Sequence, residues 1–201
     1  MSKYDVVIVG AGHAGCEAAL AAHRLGAKTA LFTLRLDRIA QMSCNPAIGG
    51  VGKSQLVKEI DALGGAMGKI ADATGIQFRV LNQSRGPAVR STRCQSDSDL
   101  YRKEMTRLVS NTLGDDLFED EIVELLGKNN RLYGVRAKRL GKIDTNAVVI
   151  TTGTFLNGLC HVGDENFEGG RIGDNLQKTY LAHLALLEYP LLALKPVLRQ
   201  G

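Results

Sequence analysis

The sequence predicts an α/β fold built on a parallel sheet, and three observations carry that reading. Tyr4 to Val9 is an apolar, β-branched run of the kind buried on both faces of such a sheet. Gly10-Ala11-Gly12-His13-Ala14-Gly15 follows it directly, and Cys16 to Leu25 then reads as an alanine-rich helix closed by Gly26. Ala27 to Thr33 reads as a second strand. Strand, glycine turn, helix and strand in this order make a Rossmann-like unit, the context in which a Gly-x-Gly-x-x-Gly pattern binds a dinucleotide. Gly10 allows the tight turn, Gly12 lets the backbone approach a pyrophosphate, and Gly15 lets helix and strand pack closely. Ala11, His13 and Ala14 complete a loop whose free N–H groups face the phosphates at the positive end of the helix dipole.

The bulk composition narrows the class. A chain of 201 residues suits one domain, and 44% hydrophobic with 23% charged residues supports a packed core. Aromatic residues at 5% are too few for a base-stacking platform, and a net charge of +4 permits a polyanionic partner without requiring one. Cys16, Cys44, Cys94 and Cys160 form no Cys-x-x-Cys pair, and their wide, irregular spacing fits neither a zinc site nor a disulfide framework, so they read as reduced thiols. The amino terminus has no signal-peptide layout and no stretch has the length of a membrane span. A cytoplasmic protein is the expectation.

The second strand ends at Thr33-Leu34-Arg35, where nicotinamide-binding units place an Asp or Glu for the ribose hydroxyls. Its absence disfavours plain NAD binding at this loop and leaves Thr33 or backbone groups to hold a ribose. Ala47 to Ser54 nearly matches a nucleotide-triphosphatase loop, but Gln41 to Asn45 before it is polar where such a loop needs a buried strand. The segment from Asn45 and Pro46 through Gly49 and Gly50 to Lys53 is instead read as a second phosphate-facing loop of the same cofactor site.

Leu56, Val57, Ile60 and Leu63 recur at helical spacing, so Gln55 to Leu63 reads as a helix, ended by Gly64-Gly65. Ile76, Phe78 and Val80 alternate in a strand over Ile76 to Leu81. Asn82 to Arg93 reads as a loop holding Arg85, Arg90 and Arg93 with no acid among them. Three such guanidiniums suit phosphate or carboxylate ligands, with salt bridges to distant acids as the alternative. Asp97 to Leu113 reads as a helix with Leu100, Leu108 and Val109 on one side. Residues 117–145 then break into short segments, Leu117–Phe118, Glu121–Leu126, Arg131–Ala137 and Lys142–Asp144, read as a small antiparallel β-meander. Ala147 to Ile150 resumes a buried strand and runs into Thr151-Thr152-Gly153-Thr154.

A Rossmann opening, a meander and a strand ending in Thr-Gly-Thr resemble the glutathione-reductase type of flavoprotein, which favours FAD over NAD on the first loop. Ser43-Cys44-Asn45-Pro46-Ala47-Ile48-Gly49-Gly50, Leu56 to Gly65, Gly75 to Arg79, Gly86-Pro87-Ala88-Val89-Arg90 and Gly153-Thr154-Phe155-Leu156 together resemble the MnmG (GidA) family from about Tyr4 to Gly173. That resemblance implies FAD-dependent enzymes that modify carbon 5 of the wobble uridine of tRNA. It also implies methylene-tetrahydrofolate, NADH, glycine or ammonium, the GTPase MnmE as partner, and a homodimer. By the same resemblance FAD lies on Gly10 to Gly15 and on Thr152, Gly153 and Thr154. Ile122 matches a backbone contact to the cofactor, Gln177 stands where a serine is usual, and Cys44 matches a functional cysteine. Arg85, Arg90 and Arg93 are candidates for tRNA or folate.

Family members are much longer chains. Residues 1–201 are therefore expected to be an FAD-binding domain from the amino-terminal part of that architecture, incomplete for catalysis, with a diverged tail over 174–201. A non-catalytic flavin-binding paralogue and a general NAD(P)H-dependent flavin oxidoreductase stay open beside this reading.

Overall fold

A computed structural model describes residues 3–43, 45–129 and 131–153, and the backbone of 159–162 and 165–168. Strand β1 (Tyr4–Val9) leads through the glycine turn into helix α1 (His13–Arg24) and strand β2 (Thr29–Thr33). Strand β3 (Ala47–Gly49), helix α2 (Ser54–Ala62), helix α3 (Met67–Thr74) and strands β4 (Gly75–Leu81) and β5 (Ser91–Ser96) form a second unit. Helix α4 (Ser98–Leu113) returns the chain to the first sheet. Strands β6 (Leu117–Glu119), β7 (Ile122–Lys128), β8 (Arg131–Ala137) and β9 (Gly141–Ile150) follow. A further antiparallel pair is β10 (Leu159–Val162) with β11 (Glu165–Glu168).

The main sheet runs β6-β2-β1-β9-β8-β7. Its first four strands are parallel and the last three form the antiparallel ribbon. Side chains of β1 and β2 alternate between the two faces of the sheet by strand geometry, and both faces are covered. Ile8 and Leu31 pack towards α1 and α4 with Cys16, Ala19, Tyr101, Met105 and Val109. Val7, Val9, Ala30 and Phe32 pack on the other face with Ile122, Leu125, Val135 and Ile143 of the ribbon. The alternating burial is why these strands read as continuous apolar runs.

The ribbon differs from the sequence-level expectation in two places. Lys142–Asp144 is no separate strand: β9 is continuous, pairing antiparallel with β8 at one end and parallel with β1 at the other. Leu117–Phe118 does not join the ribbon but pairs in parallel with β2 at the sheet edge. Polar Thr145 and Asn146 interrupt the apolar pattern that would have revealed one strand. Thr145 is nonetheless fully buried, its hydroxyl donating to the Ala147 carbonyl at 2.9 Å.

Helix α4 starts where Asp97 accepts hydrogen bonds from the Asp99 and Leu100 N–H groups at 3.0 and 2.9 Å. Its core face is Tyr101, Met105, Val109 and Leu113, spaced by four, while Leu100 and Leu108 are exposed. The expected Leu100/Leu108 side is thus corrected; a tyrosine and a methionine carry the buried stripe. The expected loop over Asn82 to Arg93 is also shorter than predicted. β5 begins at Ser91, and its buried residues are small and partly polar (Ser91, Cys94, Ser96), which hides a strand from a hydrophobic pattern. Helix α3 was not anticipated.

The α4 assignment predicts unequal costs for two truncations on one helix. Met105→Ala should destabilise the fold by about 2–5 kcal/mol, because it empties a fully buried site. Leu108→Ala should cost less than about 1 kcal/mol. Urea unfolding followed by circular dichroism checks both.

Candidate functional site

The first turn of α1 is built around contacts that only glycine permits. Gly10 has φ +98°, and a Cβ there would lie 2.5 Å from the Thr151 carbonyl oxygen. A Cβ on Gly15 would lie 1.7 Å from the Gly10 carbonyl oxygen and 2.7 Å from the Thr151 Oγ1. Gly12 is the opposite case: a Cβ there would meet nothing within 4 Å, so its backbone lies open. Gly10 and Gly15 therefore serve packing, while Gly12 leaves room for a ligand. The Cys16 N–H closes the first helical bond to Gly12 at 2.9 Å, which leaves the N–H groups of the preceding turn without helical carbonyls. No acidic side chain caps that turn. Ala11 is buried, with its carbonyl taken by the Ala40 N–H at 2.8 Å, while Ala14 and Gly12 are exposed.

Thr151 is the residue that sequence reasoning missed. As the first residue past β9 it must meet the turn that leaves β1, since the two strands run parallel and side by side. Its N–H donates to the Val9 carbonyl at 2.8 Å, and its hydroxyl lies 2.9 Å from the carbonyl oxygens of both Val9 and Gly10. Thr152 and Gly153 follow at the same end of the sheet, Gly153 at φ +59° and exposed. Thr154 lies outside the described residues, as do Cys44 and Gln177.

His13 begins α1 with its ring 5.5 Å from that of Tyr101. Burial lowers its pKa from the usual histidine range, so the imidazole is neutral at pH 7 and adds no charge to the helix end. Cys16 is buried with its Sγ 3.5 Å from the Ala11 carbonyl oxygen, and burial next to Glu17 pushes its thiol up to about 12. It is a packing thiol, without nucleophilic character at neutral pH. Glu17 accepts the Ala66 and Met67 N–H groups at 2.9 and 2.5 Å and so fixes the start of α3 against α1.

The tip of β2 lacks its own carboxylate, yet one is brought there by β6. Glu119 accepts the Leu36 N–H at 2.8 Å, while the Thr33 carbonyl accepts the Asp120 N–H at 3.0 Å. Only the parallel pairing of β6 with β2 places it there, which local sequence cannot show. Ile122 is buried in the core at the head of β7, so a cofactor contact there is limited to its backbone.

The second glycine segment belongs to the other sheet, of order β3-β5-β4. Gly49 at φ +94° sits where a Cβ would lie 2.3 Å from the Thr92 carbonyl oxygen. Gly50 and Gly52 also have positive φ but face open space, and Lys53 is exposed at the start of α2. Asn45 is exposed and Pro46 half-buried, its carbonyl accepting the Ser96 N–H at 2.8 Å. A cavity of about 350 Å³ lies between this sheet and helices α2 and α3, walled by Ile48, Val57, Ala71, Phe78 and Val80. Arg93 lines it beside Gly49, whereas Arg85 and Arg90 sit at the exposed β4–β5 connection, Arg90 Nε donating to the Arg85 carbonyl at 3.1 Å. The three arginines thus share one hairpin, with Arg93 apart from the other two.

The family model described as glucose inhibited division protein A matches residues 5–196. The chain belongs to that family. The match runs past Gly173. Two curated relatives are named tRNA uridine 5-carboxymethylaminomethyl modification enzyme MnmG. The one from Aquifex aeolicus is 48% identical over 97% of this chain and 32% of its own length. The one from Campylobacter fetus is 50% identical over 96% of this chain and 31% of its own length. The solved structure of Aquifex aeolicus GidA superposes with a TM-score of 0.87 at 49% identity, covering 94% of this chain and 31% of that one. A GidA-related protein from Thermus thermophilus, 21% identical with a TM-score of 0.59, shares the fold. The chain spans about a third of the length of the curated relatives it matches. No helix among the described residues is long and apolar enough to cross a membrane.

The contrast between the glycines is testable without any ligand. Gly15→Ala should cost about 1–3 kcal/mol or more, because the new methyl meets rigid backbone. Gly12→Ala should stay within about 1 kcal/mol of the parent, with open space around it. Parallel chemical-unfolding curves measure both.

Proposed function

We propose that this chain is the FAD-binding amino-terminal part of an MnmG-type enzyme that modifies carbon 5 of the wobble uridine of tRNA. The observation that carries the reading is the bare, open Gly12 backbone at the head of α1, between packing glycines pinned by Thr151. Such a turn fits a pyrophosphate: its N–H groups lack partners along the helix, the helix dipole favours negative charge, and no acidic side chain opposes it. FAD bound there supplies two-electron redox chemistry to the site.

The roles of the chain's own residues follow. Gly10 and Gly15 hold the turn shut, and Ala11, Gly12, His13 and Ala14 present its backbone to the phosphates. Thr152, Gly153 and Thr154 border the cofactor from the end of β9, and Ile122 and Gln177 supply backbone or polar contacts. Asn45, Pro46, Gly49, Gly50 and Lys53 form the second phosphate-facing loop. Cys44, next to that loop in sequence, is the candidate nucleophile by its match to the family's functional cysteine. Arg85, Arg90 and Arg93 hold an anionic ligand, tRNA or folate. NADH, methylene-tetrahydrofolate, MnmE, homodimerisation and a cytoplasmic location belong to the reading as properties of the whole enzyme.

Purification with excess FAD tests it. The parent chain should retain flavin, seen as absorbance in the visible range, and Gly12→Asp should lose it, since a carboxylate would stand against the pyrophosphate. Gly12→Ala, which keeps the fold, should bind more weakly than the parent. Equal flavin retention by the parent and Gly12→Asp would contradict the assignment.

A further inference from the structure

The hairpin β4–β5 concentrates the charge of the chain. From Gly75 to Ser96 it carries Arg79, Arg85, Arg90 and Arg93 and no lysine, aspartate or glutamate, so its charge of +4 equals the net charge of all 201 residues. The rest of the chain is balanced. Register sharpens the point: Arg79 pairs directly with Arg93, and Arg93 pairs with Gly49 on its other side. Directly opposed residues of an antiparallel pair share one face, with Cβ atoms roughly 4.5–5.5 Å apart. Like charges in that position destabilise a sheet unless an anion lies between them.

This face is the outer one. Cys94, next along β5, points inward, with its Sγ 3.3 Å from the Ala71 carbonyl oxygen, and Phe78 and Ile48 pair with it. By register Arg79, Arg93 and Gln77 alternate to the opposite side and are exposed, although Arg79 and Arg93 also border the cavity, and Gln77 pairs with Gln95 in the neighbouring row. Gly49 has no side chain to cover Arg93. Asp61 and Asp72 border the cavity on the helix side, but neither forms an ion pair with Arg79 or Arg93 among the described residues. Arg85 and Arg90 continue the positive line at the hairpin tip, roughly 10 Å beyond Arg93 at a strand rise of about 3.3 Å per residue.

We infer that the outer face of β4–β5 is a docking surface for the sugar-phosphate backbone of a polynucleotide, with Arg79 and Arg93 forking one phosphate. This deepens the proposed function and rests on its RNA half. Arg79 and Arg93 border the cavity but are exposed, and with Arg85 and Arg90 they extend along the whole hairpin, a layout that follows a string of phosphates further than one small dianion reaches. The exposed row offers guanidinium and amide groups without aromatic rings, so binding there is independent of base sequence. Arg79 is the new member, outside the loop that the sequence singles out.

The test uses the 201-residue chain, a fluorescein-labelled tRNA transcript and an unstructured RNA 20-mer, with anisotropy read over a salt series. For the parent, the log of affinity should fall linearly with log salt for both RNAs. Arg79→Gln and Arg93→Gln should each lower the magnitude of the slope by about 0.7–0.9, and the paired Lys variants should restore it. Both sites are exposed, and circular dichroism confirms folding. An unchanged slope and affinity in the double Gln variant would overturn the inference while leaving RNA binding intact. Loss of folate binding alone, with RNA binding preserved, would also overturn it in favour of a small carboxylate ligand. Absence of RNA binding in a flavin-retaining parent would overturn both this surface and the RNA half of the proposed function.

Discussion

The approach of the first turn of α1 to the end of β9 is the constraint on which the rest of the structure depends. Three backbone segments, after β1, at the head of α1 and after β9, meet with only the Thr151 side chain between them. A methyl at Gly15 would come within 1.7 Å of the Gly10 carbonyl oxygen, and one at Gly10 within 2.5 Å of the Thr151 carbonyl oxygen. The Thr151 hydroxyl then ties the turn to the neighbouring strand. Because the contact is backbone on backbone, it fixes where the helix N-terminus points. Direction is what an anion site at a helix end requires.

The other elements hold that junction in place. The two-sided burial of β1 sets the strand ends level, and the ribbon β7–β8 covers the face that α1 leaves bare. Glu17 reaches from α1 to the start of α3, so the second unit is registered against the same helix. The second unit itself presents two different surfaces. Its inner side carries Ile48, Phe78 and Cys94 towards the helices, and its outer side carries the arginine row. Both glycine segments thus belong to one body of packed elements, but they are built by different sheets.

The stretch from Tyr4 to Thr33 was largely legible because every local signal agreed: β-branched strand, glycine spacing, alanine-rich helix, second strand. Gly10, Gly12 and Gly15 were read with their separate roles from spacing alone. What escaped was non-local. Thr151 and Glu119 gain their positions from strand pairing across more than a hundred and about eighty residues respectively. Strand β9 looked like two segments because Thr145 and Asn146 are polar, although Thr145 satisfies its hydroxyl within the strand. β5 was invisible because its buried side is serine and cysteine. The Arg79–Arg93 pairing required a register, which composition cannot supply.

The most direct test of the account is amide NMR of the isotope-labelled chain titrated with ADP, which carries the pyrophosphate without the flavin ring. The account predicts that the largest shift changes fall on the Gly10–Gly15 amides and on Thr152 and Gly153, and that Gly12→Asp abolishes them. Shift changes confined to the Gly49–Lys53 segment, with the Gly10–Gly15 amides unmoved, would contradict it.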